Sequence, residues 1–288
     1  MNLPSGTDID FRDLLAFYAE AGVDDALAEE PVDRFSQPTA SPRQRAAEEP
    51  VRQERPSPSE VQRRPPESRP RAEAPIRATA AIPDEAQAAL ARELAASAST
   101  LDELRRHLEA FEGCNLKFTA KNTVFADGNP NAPVMFVGEA PGRDEDLEGL
   151  PFVGRSGQLL DRILTAIGLD RTGVYIANVI AWRPPGNRTP TPHETEICRP
   201  FIERQIELVN PRILVTLGGP SAKLLLNTTE GILRLRGNWR QHMTRAGTAI
   251  PAMPTLHPAY LLRNPAHKKL AWRDFVEVKL RLRALTGG

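Results

Sequence analysis

Val134-Met135-Phe136-Val137-Gly138-Glu139-Ala140-Pro141-Gly142 is the stretch on which the fold turns. Four consecutive apolar residues without polar alternation describe a short strand buried on both faces. The glycines and proline that follow force a compact turn whose main-chain amides can face a ligand. The same unit recurs downstream. Val174-Tyr-Ile-Ala-Asn-Val-Ile180 leads into Trp182-Arg-Pro-Pro-Gly186, Ile213–Leu217 into Gly218-Gly219-Pro220, and an apolar run over 249–253 into His257-Pro258. Helical segments fall between these strands. They cover 84–110 with a Ser-Thr break near 98–100, 156–167, a start at Thr191-Pro192-His193-Glu194, and an amphipathic stretch over 267–285. Thr as N-cap, Pro in the first turn and Glu three residues on form a capping-box signature. Strands alternating with helices predict an α/β fold, a three-layer α/β/α sandwich around a central four-stranded parallel sheet. Sites in such sheets form in the loops at the carboxyl ends of the strands.

The rest of the 288-residue chain divides by composition. Residues 31–83 hold 11 prolines in 53 positions and a single aromatic, Phe35. Such a stretch cannot bury enough apolar surface to offset its ordering entropy, and it is expected to be a disordered linker. Ahead of it, Phe11, Leu14, Leu15 and Tyr18 fall on one helical face, so residues 1–30 read as an acidic amphipathic helical segment. The folded domain is expected over 84–288.

Lys+Arg and Asp+Glu both number 37, so the formal net charge is zero. Taken alone, that balance argues against nucleic-acid binding, which leaves a basic footprint. The total hides unlike parts: residues 1–30 carry −7, residues 111–288 carry +7, and the stretch 231–288 carries +9. No apolar run approaches the roughly 18–20 residues of a membrane span, and no secretory signal is visible. Two cysteines, Cys114 and Cys198, make no disulfide framework. A cytoplasmic monomer is the expectation.

The turn at Gly138 is neither a dinucleotide fingerprint nor a P-loop, since both spacings are missing. Gly138-Glu-Ala-Pro-Gly142, Pro151-Phe-Val-Gly154, Asn178 with Arg183-Pro-Pro-Gly-Asn-Arg188, and His257-Pro-Ala-Tyr-Leu-Leu-Arg-Asn264 occur in one order and spacing. Together they resemble the family 4 uracil-DNA glycosylases over about residues 111–285. The resemblance implies an enzyme that flips uracil out of DNA and hydrolyses its N-glycosidic bond, leaving an abasic site. The alternative on the same fold is a non-catalytic module that binds uracil or single-stranded DNA.

By that resemblance, Phe152 stacks on the flipped base, and Asn178 reads uracil O4 and N3–H, since a carboxamide offers an acceptor beside a donor. His257 donates to uracil O2 as negative charge develops there. Gly138 and Ala140 line the base pocket. Ala140 stands where other uracil glycosylases place an Asp, so Glu139 is the nearest carboxylate to orient the attacking water, with Asp144 a weaker candidate. Ser221, at a helix N-terminus, and Arg263, Lys268, Lys269 and Arg273 are expected to meet DNA phosphates. Tyr260, Leu261 and Leu262 are wedge candidates or simply pack on the last helix. Asp144, Glu145 and Asp146 read first as complements to a helix N-terminus.

The resemblance also implies four cysteines holding a 4Fe–4S cluster. Two are present, Cys114 and Cys198; Phe111 and Trp182 stand at the other two positions. Neither aromatic can ligate iron, so no cofactor is expected and aromatic packing is expected to fill the space.

Overall fold

The computed structural model describes residues 84–287, so the expected head over 1–30 and linker over 31–83 lie outside the described residues. In chain order the elements are α1 (Asp84–Ser97), α2 (Leu101–Ala110), α3 (Leu116–Thr119), β1 (Asp127–Gly128), β2 (Val134–Gly138), α4 (Arg143–Glu148), α5 (Arg155–Ala166), β3 (Tyr175–Asn178), α6 (Pro192–Val209), β4 (Ile213–Leu217), α7 (Gly219–Leu225), α8 (Ile232–Leu235), β5 (Arg240–Met243), β6 (Ala249–Thr255), α9 (Pro258–Arg263) and α10 (Lys268–Thr286). The helical stretch 84–110 divides at its Ser-Thr break, where Thr100 caps α2 by accepting from the Glu103 amide at 3.2 Å. Thr191 and Glu194 form the expected capping box on α6.

The strands lie in the order β1-β3-β2-β4-β6-β5. β3, β2, β4 and β6 are parallel and form the expected four-stranded centre. Two antiparallel edges extend it, β1 on β3 and β5 on β6, so the sheet has six strands and is mixed. Neither edge carries an apolar run: β1 is Asp-Gly, and β5 is Arg-Gln-His-Met with only His242 buried. Edge strands that keep charge and polarity escape a search for hydrophobic runs.

Successive strand residues serve opposite faces. Met135, Val137, Tyr175, Ala177, Leu214 and Ala252 join one core with Ala91, Leu104, Phe201 and Ile206 of α1, α2 and α6. Val134, Phe136, Ile176, Val215 and Met253 join the other with Leu160 and Leu164 of α5 and Phe275 and Val278 of α10. These two cores make the three-layer sandwich. Among the described residues, no helix is long and apolar enough to cross a membrane.

One buried hydroxyl in the sheet has no hydrogen-bond partner, Thr216 Oγ1 on β4. Burying an unpaired hydroxyl costs roughly 1–3 kcal/mol, and valine keeps nearly the same shape. Thr216→Val is therefore expected to stabilise the fold by about 1 kcal/mol, read as a raised midpoint of thermal unfolding.

Candidate active site

The carboxyl ends of β2, β3, β4 and β6 open into one cleft of about 890 Å³. Gly138 closes β2 and Asn178 closes β3, paired in register. Gly218 follows β4, and His257 follows β6 by two residues. The sequence separates these residues by up to 119 positions, from Gly138 to His257; the parallel register brings their loops to one end. Gly138 is required by the packing: a Cβ there would lie 2.4 Å from Asn178 Oδ1 and 2.6 Å from Phe152 Cζ. Asn178 Oδ1 is buried and has no hydrogen-bond partner among the described residues. A buried acceptor left open in a cleft is poised for a ligand's donor.

The acidic triplet after the turn splits into different jobs. Glu145 is buried, and its carboxylate accepts from the amides of Gly142 (3.0 Å), Val153 (3.1 Å) and Gly154 (3.0 Å). It thereby ties the first turn to the Pro151–Gly154 segment that carries Phe152. Asp146, also buried, accepts from the amides of Lys121 (2.7 Å) and Asn122 (3.2 Å). Asp144 is exposed on the rim of the cleft. Phe152 sits in the left-handed region with φ 56°, and its ring centroid is 5.5 Å from that of His257 at an interplanar angle of 30°.

His257 caps α9, its Nδ1 accepting from the Ala259 amide at 3.1 Å. A neutral ring that accepts at Nδ1 carries its proton on Nε2. Burial, with the Arg263 charge adding to it, lowers the His257 pKa to about 4. The ring is therefore a neutral Nε2–H donor at physiological pH. Gly218, at φ 98°, lets β4 approach it closely: a Cβ there would meet His257 Cβ at 3.1 Å. Glu139 lines the same cleft, and burial raises its pKa above the ordinary carboxylate value. Ala140 lines it as well.

The rim is basic. Arg263 lines the cleft as expected, joined by Arg143, Arg155 and Arg188, which sequence reasoning passed over. Each directly follows or ends a loop motif, and that adjacency was the available signal. Arg188 pairs with Glu194 at 2.6 Å. Lys268, Lys269 and Arg273 are exposed at the start of α10 but do not line the cleft. Ser221 corrects the sequence expectation. Its buried hydroxyl donates to Leu217 O (3.1 Å) and Gly218 O (3.3 Å), satisfying main-chain carbonyls rather than facing a phosphate. Of the wedge candidates, Leu261 is buried in the core shared with α10. Tyr260 and Leu262 are half-buried in the cleft wall, and the Tyr260 hydroxyl lies 2.7 Å from His267 Nδ1.

The model of the uracil DNA glycosylase superfamily matches residues 125–276, the stretch that holds every one of these cleft residues. The chain belongs to that superfamily. Several of the proteins it resembles are type-4 uracil-DNA glycosylases. It is 40% identical over 183 residues to a type-4 uracil-DNA glycosylase from Archaeoglobus fulgidus, covering 62% of this chain and 92% of that one. It is 41% identical over 187 residues to one from Saccharolobus solfataricus, covering 62% and 85%. A third, from Thermotoga maritima, is 42% identical over 169 residues, covering 58% and 86%.

At the four positions where the resemblance implies ligands to a 4Fe–4S cluster, the chain offers two thiols. Cys114 and Cys198 are both buried, with sulfurs 3.9 Å apart. Cys198 donates to Cys114, which lowers the Cys114 pKa, while the same bond and burial raise that of Cys198. The other two positions are filled by Phe111 and Trp182, both almost wholly buried in the same core as the cysteines. Phe111 packs on Phe201 at 5.3 Å, and Trp182 Nε1 donates to Thr123 Oγ1 at 3.1 Å. Among the described residues, no group of three or more His, Cys, Asp or Glu is arranged to hold a metal. Two thiols are half the thiolates a cluster needs.

Proposed function

We propose that the chain is a monofunctional uracil-DNA glycosylase that flips uracil from DNA into the cleft and hydrolyses its N-glycosidic bond. The observation that carries this reading is the convergence of Phe152, Asn178 and His257 in one cleft of a chain 40% identical to type-4 uracil-DNA glycosylases. A base must leave the stack to be cut, and an extruded pyrimidine needs a π-face. The Phe152 ring supplies one. Asn178 Oδ1, without a partner among the described residues, accepts from uracil N3–H, and its amide donates to O4. Cytosine, with a bare N3 and an amino group at C4, presents the inverse pattern and is refused.

As the bond from C1′ to N1 breaks, its electron pair moves onto uracil. The Nε2–H of neutral His257 donates to O2, where that charge accumulates, helped by amides of the Gly138–Gly142 turn. Water, held and oriented by Glu139, adds to the electron-poor C1′ and gives up one proton, which ends on the departing uracil anion. Arg143, Arg155, Arg188 and Arg263 grip the phosphates around the extruded nucleotide. An oligonucleotide bearing one uracil, incubated with the protein and then alkali, is expected to break at that position. No break with freshly prepared protein overturns this reading, and tight uracil-DNA binding without a break would identify the non-catalytic module instead.

The same chain is proposed to act without an iron–sulfur cluster, Phe111 and Trp182 occupying the cluster's place. Protein purified without oxygen is expected to contain far less than one iron per chain by elemental analysis. A nearly stoichiometric content of iron and sulfide would reverse this. Two free buried thiols suit a reducing, cytoplasmic setting. The −7 charge of residues 1–30 suits an element that docks a protein partner or competes with DNA for basic surface. Removing residues 1–83 should then change the salt dependence of DNA binding.

A further inference from the structure

Phe152 holds a main-chain conformation that a bulky aromatic residue rarely adopts, and the structure shows what keeps it there. Its φ of 56° lies in the left-handed region, where a side chain crowds the following carbonyl. The guanidinium of Arg171 reaches the two preceding-loop carbonyls together. Nη1 donates to Pro151 O at 3.1 Å, and Nη2 donates to Phe152 O. The guanidinium is itself fixed by two carboxylates: Nη1 meets Asp127 Oδ2 at 2.6 Å, and Nε meets Asp161 Oδ1 at 2.8 Å. On the other side the first turn of α5 presses against the same carbonyl. A Cβ at Gly157 would lie 1.6 Å from Phe152 O, so only glycine fits. Arg171 does not line the cleft, and Asp127 reaches it from β1, the two-residue edge strand.

We infer that Arg171 is a positioning residue for excision: by forking the Pro151 and Phe152 carbonyls it holds the Phe152 ring over Gly138 and beside His257, where the base must stack. This rests on the proposed excision activity. A guanidinium suits the task because its rigid fork donates in two directions within one plane while its remaining hydrogens meet the carboxylates. Lysine keeps the charge between Asp127 and Asp161 but cannot hold both carbonyls. Small displacements of a positioning group cost up to about 10²-fold in rate.

The test is a double-mutant cycle between residues 171 and 152, read by single-turnover excision of uracil from a duplex oligonucleotide. Arg171→Met is expected to slow excision by about 10- to 100-fold while the affinity for DNA lacking uracil changes less than twofold. Inhibition by free uracil should weaken in step. In a Phe152→Ala background the same change at 171 should cost less than about threefold, because the ring it positions is gone. A merely structural role would lower the unfolding midpoint and leave the two losses multiplicative. Arg171→Lys runs through the same cycle, so a Met variant that fails to fold does not leave the question open. Multiplicative losses, or an unchanged rate in Arg171→Lys, overturn the inference. Wild-type protein that excises no uracil at all overturns the functional reading on which it stands.

Discussion

Asn178→Leu is expected to stabilise the free protein by about 1 kcal/mol and to slow uracil excision by about 10³–10⁴-fold. Both effects come from the same atom. Asn178 Oδ1 is buried with no partner among the described residues, and leucine has nearly the shape of asparagine without its polar groups. The free fold therefore sheds an unsatisfied acceptor, while bound uracil loses the two groups that read its edge. A site built to hydrogen-bond a substrate penalises unpaired polar groups far more than a missing methylene. Thermal denaturation and single-turnover kinetics on one preparation measure the two together. A large rate loss with a large loss of stability would instead mark Asn178 as a brace for the loops.

His257→Asn separates chemistry from folding in a different way. Asparagine is a good N-cap, so Oδ1 can take over from His257 Nδ1 in accepting the Ala259 amide. What it lacks is the Nε2–H donor. Removing one donor to a developing anion costs about 10²–10³-fold in rate, and this is the loss expected with the fold intact. The pH dependence has a definite sign. Burial holds the folded pKa at about 4, below the ordinary 6.5. Between those values the unfolded chain binds the proton and the folded one does not. The His257 contribution to stability is thus whole above pH 6.5, shrinks as pH falls towards 4, and is flat below that. The excision rate should show no His257 titration near neutrality. The His257 contribution to the rate should be lost only as pH approaches 4, where protonation sets Nδ1–H against the Ala259 amide. A rate that climbs through pH 6 as the solution is acidified would make the charged ring the donor.

How much of this was legible in the chain depends on the kind of signal. The four central strands were, because a strand buried on both faces writes an apolar run. The cap at Thr191 was, because a cap is a local interaction between residues three apart, and so was the Ser-Thr break near 98–100 that divides α1 from α2. The edges β1 and β5 were not: one is two residues long and the other is polar. Phe152, Asn178 and His257 were legible as motif residues, each beside a glycine or proline turn or at a strand end. Ser221 misled, because sequence gives no indication of which side of a helix as short as α7 points inward. Leu261 took the second of its two expected placements, packed against α10.

The sequence by itself determined that strands alternate with helices, that turn-rich loops follow those strands, and that the chain holds two cysteines. These follow from hydrophobic runs, turn residues and residue identity, all of which act over a few positions. The tertiary structure alone decided that Glu145 also reaches the amides of Val153 and Gly154, and Asp146 those of Lys121 and Asn122. It also decided that the His257 proton sits on Nε2, and that Arg171 holds Phe152 through residues up to 44 positions away. Each depends on which groups meet across the fold and on how far water is excluded from them. No local pattern in the chain encodes those distances.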